Sequence, residues 1–370
     1  MTAGCAGGRL TIDLRALQDN WRALAALAPH SECAAVVKAD AYGIGLPQAV
    51  SALTRAGART FFVAHLHEAT AARAAAPDAV IYVLNGLPPG TASDYAAARA
   101  RPVLGSAEEI AEWADFAAET GPDALAAIHL DTGMTRLGLS PAEARAMFAS
   151  GGAGFRPSLL MSHLACADEP DRAETERQRA LFAELRALAP DVPASLANSA
   201  GTLLGRTEGG DLAFDLRRPG VSLYGSNPIH GGSARLKPVV RLEARVIQLR
   251  QVPAGTAVGY GGVETTRRPT TLAILSVGYA DGIFRAAGGA DDARGASAYV
   301  GEIPCPYVGR ISMDLIAIDV TDVPEGALKR GDWVEMLGDH VGVDDLARAS
   351  GTIGYEVLTA LGRRHERRYA

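Results

Sequence analysis

Ala34-Ala35-Val36-Val37-Lys38-Ala39-Asp40-Ala41-Tyr42-Gly43-Ile44-Gly45 opens as a short apolar run and stops abruptly at a lysine. Such a run suits a parallel strand buried on both faces. The small residues and two glycines after Lys38 mark a turn. A lysine at the carboxyl end of a buried strand has two readings. Burial disfavours the ammonium and leaves a nucleophilic amine able to form a Schiff base with an aldehyde. Alternatively, its stem snorkels out of the strand end toward a carboxylate such as Asp40. This stretch alone leaves both open.

Outward from it, short apolar runs alternate with amphipathic segments. Strands are expected at Ala34–Lys38, Phe61–Ala64, Val80–Leu84, Pro102–Leu104, Ala126–Leu130, Ser158–Ser162, Ala194–Ala197 and Asp215–Tyr224. Helical patterns lie between most of them, as at Pro47–Ala56, Ser106–Ala118, Pro141–Phe148 and Glu169–Leu188. Repeated strand–helix alternation implies a parallel sheet, and this many units in roughly 200 residues fit a (β/α)8 barrel. A doubly wound open sheet is the competing architecture, but no GxGxxG follows the first strand. From about Ser226 the texture becomes β-branched and Gly/Pro-punctuated, with strands expected at Val239–Val252, Thr271–Val277, Tyr307–Val320 and Asp332–Leu337. Helical stretches follow at Val343–Ala349 and Tyr355–Leu361. The domains expected are therefore a barrel over residues 9–230 and a mostly β domain over 231–370. Residues 9–14 alternate like a strand able to pack in the second domain, and Asp13 is placed to cap a helix running to about Leu27. The basic tail Arg363–Arg368 reads as a solvated end.

Composition narrows the class. The chain has 370 residues, 48% of them hydrophobic, and a net charge of -6, which gives no reason to expect nucleic acid or an anionic membrane as partner. No apolar run reaches membrane-spanning length, and residues 1–8 lack the basic start and apolar core of a secretory signal. Cys5, Cys33, Cys166 and Cys305 have neither metal-ligand nor disulfide-framework spacing. A cytoplasmic enzyme without a metal is the expectation.

The polar residues fall where a barrel enzyme places its chemistry, at the carboxyl ends of strands. Lys38 ends the first, Asp131–Gly138 follows the fifth, Ser162–His163 ends the sixth, Asn198–Gly201 follows the seventh and Arg217–Gly220 interrupts the eighth. The last two turns suit a phosphate. A Schiff-base lysine, a phosphate site and an imidazole together point to pyridoxal 5′-phosphate. Here a resemblance becomes specific. Ala34–Gly45, with its Val-Lys-Ala-Asp-Ala-Tyr-Gly, closely resembles the cofactor-attachment motif of bacterial alanine racemases. Asp131–Gly138, Ser162–His163, Asn198–Ser199, Arg218–Gly225, Val258–Gly262, Ser276–Gly282, Val308–Asp314 and Gly354–Leu358 match further family motifs in order. The resemblance implies a (β/α)8 barrel plus a carboxyl-terminal β domain, in a head-to-tail homodimer that interconverts L- and D-alanine for peptidoglycan.

By that resemblance Lys38 carries the cofactor and moves the substrate Cα proton on one face, while Tyr260 of the partner's β domain works on the other. A phenol is a poor base at neutral pH, so cations must favour its phenolate, with His163 and Arg218 as candidates. Arg218 is expected against the pyridine nitrogen, which it cannot protonate. The weaker electron sink then favours return of the proton to Cα. Tyr42, Ser199, Gly220, Val221 and Tyr355 resemble the phosphate-binding set. Arg136 and Met313 would meet the substrate carboxylate, and Tyr279 with Tyr355 would narrow the entrance. Many relatives carry a carbamylated lysine seven residues before Arg136, where this chain has His129. A direct His129 contact or a small anion such as chloride is expected to orient Arg136 instead. His65 and His67 are read as structural. A broad-specificity or serine racemase is the alternative activity, and a non-catalytic cofactor carrier is the contrasting class.

Overall fold

Of the run at Ala34–Lys38 only Ala35–Val36 is strand, preceded by a second short piece, Glu32–Cys33, and Lys38 already begins the turn that follows. The computed structural model describes residues 6–232 and 234–370, and Cys5 lies outside them. From Ala35–Val36 the parallel strands Thr60–Val63, Val80–Val83, Arg101–Leu104, Ala127–His129, Leu159–Met161 and Ala194–Ser195 follow in chain order, each bonded to the next. Leu216–Arg217 then pairs in parallel with Glu32–Cys33. On its other side the N–H groups of Asp215 and Arg218 donate to Ala194 O and Ala197 O at 3.0 and 2.9 Å. The ring of strands therefore closes as a (β/α)8 barrel. On its strands Phe61, Phe62, Ile81, Val103, Ile128 and Leu160 point to one face or the other, inside the ring or against the surrounding chain, each almost fully buried and contributing roughly 1.5–3 kcal/mol by leaving water.

The eighth strand is shorter than expected. Instead of Asp215–Tyr224, only Leu216–Arg217 is strand, and Val221–Tyr224 winds into a 3-10 turn. Pro219 has no N–H for the ladder, so the strand stops before it. Arg217, fully buried, donates to the carbonyls of Leu24, Ala28 and Ser31 at 2.6, 3.0 and 3.2 Å. It thus satisfies carbonyls left open where the helix Leu14–Ala26 ends.

The described chain divides into two units. One is Leu17–Leu223 with Asn227–Leu236, and the other is residues 6–16, Tyr224–Ser226 and Lys237–Ala370. In the second, the strands Gly8–Ile12, Val240–Val252, Thr270–Leu275, Ser297–Val300, Ile303–Val308, Ile316–Asp319, Trp333–Leu337 and Glu366–Tyr369 form one largely antiparallel sheet. Residues 9–12 belong to it, antiparallel to Val240–Val252. Two expectations change here. Tyr307–Val320 is two strand segments with a loop between them that carries Met313. The tail is not a loose solvated end: Glu366–Tyr369 pairs in parallel with Gly8–Ile12. On this edge strand Arg368 and Tyr369 are exposed and Glu366 and Arg367 are partly buried, and charges on an edge strand are how sheets commonly protect it.

Candidate active site

The backbone after Lys38 takes an unusual course. Ala39, Asp40, Ala41 and Tyr42 all have φ between 53 and 55°, making a turn of left-handed helix. For L-residues this costs roughly 1–2 kcal/mol each, so tertiary contacts must hold it. The Ala39 N–H donates to Glu68 Oε1 at 2.7 Å, and Asp40 Oδ1 accepts the Leu46 N–H at 2.8 Å. Within the turn, the N–H of Gly43 reaches Ala39 O and that of Gly45 reaches Asp40 O, both at 2.9 Å. Glu68 is itself buried, and its Oε2 accepts the N–H groups of Ala64 and His65 at 2.8 and 3.1 Å. One carboxylate therefore joins the ends of two neighbouring strands. Burial, reinforced by the Arg136 cation, lowers the Lys38 pKa, while the Glu68 charge opposes that shift. The amine is kept more available as a nucleophile than an ordinary lysine.

Arg218 is buried among neutral acceptors. Its guanidinium donates to Ser195 Oγ, to the carbonyl of Ser162 and, at 3.5 Å, to that of Leu196, and it lies 5.8 Å from the centroid of the Phe62 ring. Burial lowers its pKa to about 9, which leaves it charged at neutral pH. A buried cation bonded to neutral groups is a ready donor to a neutral acceptor. His163 differs from the expectation. Burial, then Arg218, Arg136, His129 and Lys38, hold its pKa well below 6.5. The imidazole is neutral, so of the two expected cations only Arg218 is charged. Its carbonyl accepts from Gln178 Nε2 at 2.9 Å, and its Nε2 lies 3.5 Å from Asn198 Nδ2.

Ser199 Oγ accepts the N–H groups of Gly220 and Ser222 at 2.8 and 3.3 Å, joining the turns after the last two strands. A Cβ at Gly220 would stand 2.3 Å from Tyr42 Oη, so the tyrosine lies directly against that backbone. Val221 begins the 3-10 turn beside it. Lys38, Tyr42, Arg136, His163, Ser199, Arg218, Gly220 and Val221 thus all lie in the barrel unit, on the turns and strand ends described above. Arg136 is exposed and makes no hydrogen bond or ion pair among the described residues. No hydrogen bond joins it to His129, which is buried; burial first, then Arg218 and Arg136 against the opposing Asp131 charge, lowers that ring's pKa to about 4.

Tyr260, Met313, Tyr279 and Tyr355 belong to the other unit. Tyr260 is 72% exposed at the head of a short turn, where Gly259 and Gly261 take φ of 70 and 76°. Met313 is 53% exposed, and its carbonyl accepts the Ala280 N–H at 3.0 Å. Tyr355 is partly buried in the helix Gly354–Ala360.

The sequence reading missed Glu68, Gln178 and Ser195. Glu68 was marked by its place at the third position of the helix Leu66–Ala75, where a glutamate can turn back on the strand end. Gln178 was marked as the polar member of a buried helix face with Phe182 and Leu185. Ser195, inside a two-residue strand, carried no signal.

Residues 12–228 match the family model of the alanine racemase N-terminal domain, and residues 239–369 match that of the alanine racemase C-terminal domain. The chain belongs to the alanine racemase family. It is 54% identical over 366 residues to an alanine racemase of Methylobacterium sp. (strain 4-46), covering 98% of each chain. It is 47% identical to a catabolic alanine racemase of Agrobacterium fabrum (strain C58 / ATCC 33970), covering 99% of this chain and 93% of that one. The solved alanine racemase of Bartonella henselae, which carries covalently bound pyridoxal phosphate, superposes with a TM-score of 0.91 at 38% identity, over 99% of this chain and all of that one.

Proposed function

We propose that this chain interconverts L-alanine and D-alanine with pyridoxal 5′-phosphate held by Lys38. The observation that carries the reading is the buried Arg218 cation, bonded only to neutral groups, in the same barrel unit as a lysine whose amine is kept available. The residues fit the cofactor. Ser199, Gly220, Val221, Tyr42 and Tyr355 would hold its phosphate, the first four around a cradle that a Cβ at Gly220 would fill. Arg218 would donate to its ring nitrogen and His163 would lie against its ring. Bound there, the cofactor supplies an electron sink that loosens the amino-acid Cα proton.

The chain's own groups do the rest. Lys38 Nζ takes or returns the Cα proton on one face, and Tyr260 Oη does so on the other. Arg218 keeps its own proton and so leaves the sink weak, which favours return of the proton to Cα. Arg136 and the Met313 backbone orient the carboxylate. A small anion steadies Arg136 in place of His129, so the KM for alanine should fall as chloride is added to chloride-free buffer. Tyr260 and Met313 come from a second copy of the chain in a homodimer. The enzyme works in the cytoplasm, and D-alanine for peptidoglycan is the use proposed; a deletion strain that grows without added D-alanine would remove that use.

The deciding experiment incubates the cofactor-loaded protein with L-alanine in D2O. D-Alanine carrying Cα deuterium is the expected dominant product. Faster turnover of serine would reassign the substrate, and exchange without inversion would remove Tyr260 from its role. Bound cofactor without any exchange would leave a carrier.

A further inference from the structure

Glu68 has a structural twin. At the next-but-one turn of the barrel, Glu109 is the third residue of the helix Ala107–Thr120. Its Oε2 accepts the N–H groups of Gly105 and Ser106 at 2.6 and 3.2 Å, and its Oε1 accepts the N–H of Leu87 at 2.9 Å. Glu68 does the same with Ala64, His65 and Ala39. In each case one carboxylate caps its own strand end and reaches back to the turn after the preceding strand. The difference lies in what that turn carries. Leu87 follows an ordinary strand end, whereas Ala39 follows Lys38 and begins four consecutive left-handed residues.

We propose that Glu68 is a positioning residue for Lys38, its carboxylate clamping the left-handed turn at the Ala39 amide and standing as the countercharge to the lysine. The inference rests on the reading of Lys38 as the cofactor lysine. The clamp fixes the backbone one bond beyond Lys38, where the chain's intrinsic preference would unwind the turn. The countercharge acts among few others. Arg136, on the loop after Ala127–His129, bears on the amine as a cation, and the Lys38 charge in turn helps to keep the His163 ring, after Leu159–Met161, neutral. Asp40, on the same turn, already accepts the Leu46 N–H. Glu68 is the carboxylate that raises the proton affinity of the amine against burial and Arg136. It thereby opposes the loss of the ammonium form that burial and Arg136 favour.

The sequence makes the test tractable, because Lys38, Lys237 and Lys329 are the chain's three lysines. Reductive methylation of the cofactor-free protein with ¹³C-formaldehyde gives three dimethyl-lysine signals, each titrated by NMR. In Glu68→Gln, Lys38 is expected to titrate at lower pH than in wild type, with Lys237 and Lys329 unmoved. Cofactor uptake by the unlabelled protein, followed by absorbance, is expected to slow at least about tenfold as the turn loosens. Glu109→Gln is the control, expected to cost similar thermal stability while leaving the Lys38 titration and the uptake rate unchanged. Equal effects of the two variants, or a Lys38 titration unmoved in folded Glu68→Gln, would overturn the proposal. If Glu68→Gln does not fold, Glu68→Asp carries the test. It keeps the charge and shortens the reach, so uptake should slow while Lys38 titrates as in wild type; wild-type uptake would overturn the clamp. Borohydride trapping of the wild-type holoenzyme separately reads the underlying assignment. Cofactor on a peptide without Lys38 would refute that assignment and the inference with it, whereas cofactor on Lys38 leaves the Glu68 variants to decide.

Discussion

His129 stands where the family resemblance leads one to expect a lysine, and its chemistry follows from its surroundings. It ends a barrel strand and is buried, and burial, Arg218 and Arg136 outweigh the opposing Asp131 charge to bring its pKa to about 4. In the unfolded chain the imidazole titrates near 6.5, so the unfolded state binds more protons between those values. The sign is then fixed: the neutral ring's contribution is complete above pH 6.5 and is lost as pH falls toward 4. Across that window the loss is about 3 kcal/mol, at about 1.4 kcal/mol per pH unit. Denaturant unfolding at a series of pH values should show this acid slope, and His129→Gln should flatten it; an identical slope in the variant would remove His129 as its source. The departure itself was readable in the sequence, but the charge state of the ring was not. It depends on Arg218, which reaches the site only when the eighth strand closes on the first. The same closure makes His163 neutral and leaves Arg218 as the charged member of the pair.

Among the elements, the apolar runs of the barrel were legible because strands buried on both faces have little latitude in composition. The left-handed turn at Ala39–Tyr42 was not. Nothing in Ala-Asp-Ala-Tyr favours four positive φ values, and the contacts that hold them come partly from Glu68, on another helix. The tail differs from its sequence pattern for a related reason. Charges alone suggest a solvated end, yet Arg364 pairs with Asp281 at 3.2 Å and with Asp314 at 2.8 Å. Asp281 is buried and also accepts the Gly278 N–H, while the Tyr279 and Ala280 N–H groups donate to the carbonyls of Ser312 and Met313. The tail thus steadies the loop that presents Met313. Arg364 is half exposed, so Arg364→Ala should cost less than about 1 kcal/mol of stability. If Met313 meets the substrate carboxylate, the same variant should raise the KM for alanine about threefold to tenfold with a smaller change in kcat. Unchanged KM would detach this loop from substrate binding.

At the scale of the whole molecule, the proposed bases lie in different units of the chain, Lys38 in the barrel and Tyr260 in the β unit. Tyr260, Met313, Leu315 and Ile353 are exposed large apolar side chains of that second unit, and Tyr279 is exposed with them. Tyr260, Tyr279 and Met313 lie on motifs of the family resemblance, and exposed aromatic and apolar residues there suit a surface covered by another copy. Subunit mixing separates a shared site from a self-contained one. Lys38→Ala and Tyr260→Phe should each be inactive as pure preparations. If each site takes its lysine from one chain and its tyrosine from the other, a mixed dimer has one intact site and one doubly defective site. Random exchange at equal amounts makes half of the dimers mixed, so activity should return to about a quarter of wild type. If both groups serve the same chain's site, mixing restores nothing, because every site then keeps its own defect. Recovery that appears only after the dimers are allowed to exchange, and that scales with the mixed fraction resolved by native mass spectrometry, would tie the activity to the shared interface.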